Sequence, residues 1–120
     1  MNSVTLSGYI HSEDIVLRHT PDNVSVTSFK LNVSRSVKKK LQNNIITIVC
    51  WNDMAEYAAK EYQKGMYIEV RGEIVTGTRL LKGYTVIPNG KSEPIDFYIP
   101  VTEVYAHRVD IKPLHKELYK

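Results

Sequence analysis

The chain is poor in the residues that most simple chemistries need. It has a single cysteine, Cys50. That excludes an internal disulfide and any multi-cysteine zinc site. The expected role of Cys50 is that of a small buried apolar residue. Its four histidines, His11, His19, His107 and His115, lack the spacing of metal ligands. There is no P-loop and no GxGxxG. These absences argue against an enzyme, and no cofactor or metal is expected. No segment approaches the roughly 20 apolar residues of a membrane helix. Met1–Ile10 lacks the basic start and apolar run of a signal peptide. A cytoplasmic protein with no membrane partner is expected.

What remains is one domain's worth of ordinary composition: 120 residues, 42% hydrophobic and 24% charged, with a net charge of +3. The mildly basic balance is compatible with a nucleic-acid partner. Tyrosine is the commonest aromatic, with eight copies against two phenylalanines and one tryptophan.

The central stretch, Ile45–Gly72, reads as strand, helix, strand. Ile45–Trp51 is rich in β-branched residues. Alternation puts Ile46, Ile48 and Cys50 on one face and Ile45, Thr47, Val49 and Trp51 on the other. Asp53 is placed to cap a helix, with Glu56 completing a capping box. Ala55, Ala58, Ala59 and Tyr62 mark its apolar side, and Gly65 is expected to end it. From Tyr67 to Thr76, Ile68, Val70, Gly72 and Ile74 oppose Tyr67, Glu69, Arg71 and Glu73. Upstream, Val4–Ile10 alternates with Val4, Leu6, Gly8 and Ile10 toward the core. Gly8 suggests a bend or a close backbone approach. His11–Asn23 reads as a polar connection ending in a turn at Pro21-Asp22-Asn23.

Val24–Arg35 reads as the second strand. Phe29, Leu31 and Val33 oppose Val24 and Val26 in parity, which predicts a bulge near Thr27-Ser28. Ser36–Asn44, with three consecutive lysines, reads as a basic, mobile hairpin loop joining the second and third strands. Gly77–Pro94 reads as an extended hairpin with one short apolar run, Tyr84–Ile87. Asp96–Ala106 is a last strand, irregular at Pro100. Val109–Ile111 closes the domain. The expected boundaries are 1–112 for the domain and 113–120 for a charged terminal segment.

Several stretches together carry a resemblance: Trp51, then Ala55-Glu56, Tyr62 and Lys64-Gly65, then Ile68, Val70 and Gly72. Asn2–Ile10 and Thr102–Val109 agree with them. The pattern resembles the bacterial and phage single-stranded DNA-binding protein family. The resemblance implies an all-β, five-stranded OB-fold barrel with one helix between strands three and four and long hairpin loops. It implies sequence-tolerant binding of single-stranded DNA in replication, recombination or repair. It also implies a homo-oligomer, dimer or tetramer, and replication or recombination proteins as partners. Thr5, Ser7 and Tyr9 would serve the self-association.

Such binding uses cations for phosphates and aromatic faces for bases. Trp51 stands where the family carries a stacking aromatic, with Thr47 on the same face. At three further aromatic positions this chain has Val37, Ile45 and Arg79 or Leu80. Stacking is then weaker, or moved to tyrosines such as Tyr9, Tyr67, Tyr84 and Tyr98. The candidate cations are Lys30, Arg35, Lys38, Lys39, Lys40, Arg71, Arg79 and Lys82. Lys30 and Arg71 are expected on neighbouring parts of the sheet, and Lys38–Lys40 and Arg79 with Lys82 on two fingers flanking Trp51. Where family members commonly end in an acidic tip, Pro113–Lys120 is basic and short. That departure points to a phage or mobile-element relative, or to an acidic tail having been removed. The alternatives are a primosome-type OB protein in replication restart and an OB-fold protein-interaction module with no nucleic-acid ligand.

Overall fold

Alternating apolar residues carry most of the chain into strands, and those strands close on themselves. In a computed structural model, the backbone is described for residues 1–86, 90 and 92–112. Side chains are described for these except 81–86, 92, 93, 95 and 97. The elements are β1 (Val4–Ile10), β2 (Arg18–His19), β3 (Ser25–Val37), β4 (Lys40–Trp51), α1 (Asp53–Glu61), β5 (Tyr67–Val86) and β6 (Ser92–Ile111). The sheet order is β1-β5-β6-β4-β3, and a β1–β3 pairing closes the circuit. The short β2 adds to the free edge of β3 through Arg18 and His19. All pairings are antiparallel except β4 with β6, where Thr47–Val49 lie beside Glu103–Tyr105. This is an all-β OB-fold barrel whose one helix among the described residues follows the third barrel strand.

Closure rests on β1, which serves two edges. Val4–Tyr9 pair with β5, while Tyr9 and Ile10 also pair with Asn32 and Leu31 of β3. The two backbones meet at Gly8. A Cβ there would lie 2.2 Å from the Asn32 carbonyl oxygen. On the neighbouring strand β5, a Cβ on Gly72 would lie 2.1 Å from the Tyr105 oxygen. The β5–β6 register slips at this point: Arg71 faces Arg108 and Gly72 faces Ala106, leaving His107 as the extra residue of a bulge.

The core holds Ile10, Phe29, Leu31, Ile48, Cys50, Ile68, Val70 and Val104, all at most 3% exposed. Helix α1 plugs one end with Ala55, Ala58 and the following Tyr62, whose ring meets Phe29 edge-on at 5.9 Å. Its start differs from the predicted capping box. Asn52 is the N-cap, at φ 58, and its carbonyl accepts from the Ala55 and Glu56 amides. The Glu56 carboxylate accepts instead from the Ser25 hydroxyl at 3.4 Å, tying the helix to β3. The helix ends at Glu61. Gly65 takes φ +92 in the following turn, where its amide donates to the Ile10 carbonyl.

Three further expectations are corrected. The bulge near Thr27-Ser28 is absent: β3 and β4 pair without a break from Val26–Trp51 to Val37–Lys40. Thr27 takes the core position, 1% exposed, and its hydroxyl donates to the Val16 carbonyl at 2.7 Å. A threonine fits where a valine would, provided its hydroxyl is satisfied. The hairpin expected over Ser36–Asn44 is present, but its loop is only Lys38 and Lys39; the rest is the outer part of a β-ribbon. At Pro100 the β5–β6 pairing is unbroken, and the irregularity lies at Gly72 instead. Pro100 has a strand on one side only, because β4 reaches only Glu103–Tyr105. The hairpin expected over Gly77–Pro94 is present, pairing as far as Val86 with Ser92. Ile87 and the terminal segment 113–120 lie outside the described residues.

Gly8→Ala should destabilise the fold by about 1–3 kcal/mol or more, because the obstructing atom is backbone and cannot swing away. Gly77→Ala, with nothing within 4 Å of its Cβ position, should stay within about 0.5 kcal/mol. Urea unfolding of the two variants checks the contrast.

Candidate nucleic-acid interface

The outer surface follows from what the core takes. With Thr27, Phe29 and Leu31 inward, β3 presents Val26, Ser28, Lys30 and Asn32 outward. With Ile48 and Cys50 inward, β4 turns Ile45, Thr47, Val49 and Trp51 to the other face, where Val49 is itself buried. With Val104 and Ala106 inward, β6 presents Glu103 and Tyr105. Register then assembles rows across strands: Lys30, Thr47 and Glu103 in one, Ser28, Val49 and Tyr105 in the next. The Lys30 ammonium donates to the Thr47 hydroxyl. Trp51, one step beyond Val49–Cys50, leans on Tyr105 with ring centroids 5.8 Å apart and planes at 56°. Trp51 is therefore on the outer face but half-buried, and its Nε1 is buried without a hydrogen-bond partner among the described residues.

Tyr105 was not singled out by the sequence reading. Its alternation with Val104 and Ala106 puts it outside. Only the parallel β4–β6 pairing brings it to Trp51.

Beyond this face, two ribbons leave the same end of the barrel, because β4 and β6 run parallel. The β3–β4 ribbon turns over Lys38 and Lys39, at φ 50 and 64. Two left-handed residues in a two-residue hairpin match the strand twist. No acidic residue occurs from Ser25 to Asn52, while Lys30, Arg35, Lys38, Lys39 and Lys40 do. The lysine tip does not flank Trp51. Seven register steps separate Lys30 from Val37, about 23 Å of strand, and Trp51 lies further back still. Arg35 and Lys40 share the ribbon face opposite to that of Lys30.

In the β5–β6 ribbon Arg79 faces Ile99 and is exposed, and the Leu80–Tyr98 pair is 42% and 68% exposed on the other side. Lys82 and Tyr84 stand in register with Asp96 and Pro94, and their side chains lie outside the described part. Between the ribbon bases, at the open end, is an apolar groove of 330 Å³ lined by Val4, Leu6, Ile45, Ile46, Ile74 and Val104, among others.

Tyr67 and Arg71 are placed elsewhere. They lie on the outer face of β5 toward β1, opposite Tyr9 and Thr5. Tyr67 packs on Tyr9 at 5.0 Å, and the Arg71 guanidinium donates to the Glu69 carboxylate at 3.3 Å. Lys30 and Arg71 are thus not neighbours: β4 and β6 separate their strands on one side and β1 on the other. The structure sets Lys30 against Thr47, with Trp51 further along the same face of β4. It sets Arg35 and Lys38–Lys40 on one ribbon and Arg79 on the other.

The described residues hold no group of three His, Cys, Asp or Glu side chains placed for a metal. None of the described helices is long and apolar enough to cross a membrane. Burial pushes the Cys50 thiol up to about 12 and the Tyr62 phenol likewise to about 12. Both groups stay protonated in the fold at pH values where the unfolded chain ionises. Stability from them is complete below about pH 9 and declines as pH rises from there toward 12. A thiol reagent at pH 8 should leave native Cys50 unmodified and label it fully in urea, and the urea midpoint should fall between about pH 9 and 11.

The sequence model of the Single-strand binding protein family matches residues 1–81, from β1 through the first three-quarters of β5. A single-stranded DNA-binding protein of Caldanaerobacter subterraneus subsp. tengcongensis is 38% identical over 81 residues, 65% of this chain and 53% of the relative. That of Streptococcus pneumoniae serotype 4 is 38% identical over 79 residues, 63% of this chain and 50% of the relative. Single-stranded DNA-binding protein 4 of Streptococcus agalactiae serotype V is 35% identical over 79 residues, 63% and 56% of the two chains. The chain thus spans about half the length of the curated relatives it matches. With the closed barrel, its single helix and a family match over more than half the sequence, this chain belongs to the Single-strand binding protein family.

Proposed function

We propose that this protein binds single-stranded DNA with little sequence preference and without catalysis, in replication, recombination or repair. The observation that carries the reading is the β3–β4 layer. It has five cations, no acid, and a tryptophan on its outer face braced by Tyr105. The names of the relatives support the same ligand. Bases stack at Trp51, beside Lys30 and Thr47. Arg35, Lys38, Lys39, Lys40 and Arg79, with Lys82 and Tyr84, follow the phosphates along the ribbons. Stacking is worth roughly 1–3 kcal/mol per base, and each neutralised phosphate releases counterions. Tyr67 and Arg71 go with the β1–β5 face. There Thr5, Ser7 and Tyr9 are the candidate contacts of a homo-oligomer.

Titration with oligo-dT at two salt concentrations tests the reading. Tryptophan fluorescence should be quenched, since Trp51 is the only source, and Trp51→Ala should cost about 1–3 kcal/mol. Replacing Lys38, Lys39 and Lys40 together by Ala should flatten the slope of log affinity against log salt by up to about 2 units. No binding at low salt would leave a protein-interaction module as the better account. Light scattering at micromolar concentration should give a mass of at least two chains, and a monomer would remove the β1 interface.

A further inference from the structure

Glu103 is an acid in an unexpected place. It projects from β6 on the outer face, in register with Thr47 of β4 on one side and Val75 of β5 on the other. Along its own strand the same face carries Val101 and Tyr105. None of these neighbours is a cation. The Lys30 ammonium, one strand further on, is engaged by the Thr47 hydroxyl. Glu103 is half-buried and makes no hydrogen bond or ion pair among the described residues. The other described acids of this outer surface are matched: Glu69 by Arg71, Glu73 by His107, Asp110 by Arg108. A carboxylate with no assigned partner thus stands two residues, about 6.6 Å of strand, from the ring that braces Trp51.

We propose that Glu103 reads the bases of a bound single strand by accepting hydrogen bonds from the amine-bearing edge of guanine. The inference rests on the strand-binding function above. In the free protein, water serves a half-exposed carboxylate. A strand laid over Trp51 and Tyr105 displaces that water, and only a base that donates restores the lost hydrogen bonds. In a single strand the Watson–Crick edges are free to be read. Guanine offers N1–H and the N2 amine side by side, matching the two acceptor oxygens of a carboxylate. Adenine and cytosine offer one amine beside an acceptor nitrogen. Thymine offers one donor between two carbonyls. The result is a modest bias within otherwise tolerant binding.

The discriminating probe is inosine, which differs from guanine only in lacking the N2 amine. Repeating d(TG) and d(TI) oligonucleotides of equal length, titrated at one salt concentration and read by Trp51 fluorescence, give the ratio of their affinities. The wild-type chain should prefer d(TG) by roughly tenfold, the low end for a hydrogen bond to a charged group. In Glu103→Gln the carboxamide turns a donor toward guanine's donors, and the ratio should fall to within about twofold of one. A wild-type ratio of one, or a preference that survives in Glu103→Gln, overturns the proposal and leaves Glu103 as a charge that only repels phosphates. Failure to bind oligo-dT overturns the strand-binding reading and this inference with it. Binding of oligo-dT with no d(TG) preference overturns the inference alone. Urea unfolding of Glu103→Gln confirms that the variant is folded in the titration.

Discussion

Closure of the barrel depends on how near two backbones come at Gly8. A strand that pairs with β5 along most of its length and with β3 at its end must bend across the barrel mouth. Its backbone then passes so close to the Asn32 carbonyl that no side chain fits. Closure occupies the β1 and β3 edges where Tyr9 and Ile10 meet Asn32 and Leu31. It also fixes β6 between β4 and β5. The order of strands around the barrel, and so every neighbour relation on the outer surface, follows from that contact. Gly72 makes a similar close approach between β5 and β6, where the His107 bulge lets β6 bend with the curve.

The second feature is the segregation of charge and secondary structure. The β3–β4 layer carries only cations and extends well past the core as a ribbon. There its backbone hydrogen bonds are made strand to strand and its side chains face water on both sides. A free ribbon of two strands would be marginal. Here it is held at its base by the barrel, where Phe29, Leu31 and Ile48 are buried. Lysines at φ 50 and 64 in the turn are conformationally costly, on the order of 1 kcal/mol each. The arrangement places positive charge at the far end of the ribbon. The β5–β6–β1 side pairs its charges locally instead, through Glu69 with Arg71 and Asp110 with Arg108. Surface pairs of this kind add little stability, but they leave that side with little net field.

Much of the fold was legible in the sequence, and the failures have physical causes. β1 and the start of β5 are legible because one face of each is apolar and the other is not, and the inner half of β4 because it is an unbroken β-branched run apolar on both faces. The outer half of β4 is not legible as strand, because a ribbon with water on both faces has no apolar alternation to detect. Thr27 misled in the opposite way. Its hydroxyl marks it as polar, yet it fills a core position, since the Val16 carbonyl from a distant connection satisfies it. The helix was found, but its cap was misassigned by one residue. Ser25, far away in sequence, claims the Glu56 carboxylate that would have completed the capping box.

The sequence by itself determined which residues face outward on each strand: Lys30, Thr47, Trp51, Arg71 and Tyr105 all follow from alternation with a buried neighbour. It determined that three lysines stand together in a hairpin, and that Gly8 marks a bend or a close backbone approach. Only the tertiary structure decided who stands beside whom. Alternation is a property of one strand, whereas neighbourhood depends on pairing between strands far apart in the chain. The parallel β4–β6 ladder sets Tyr105 against Trp51 and Glu103 beside Thr47. The closed circuit carries Arg71 and Tyr67 away from Lys30 to the β1 side. An outward-facing aromatic becomes a braced platform, and an ordinary glutamate an unpaired acceptor, because of which strand lies next to which.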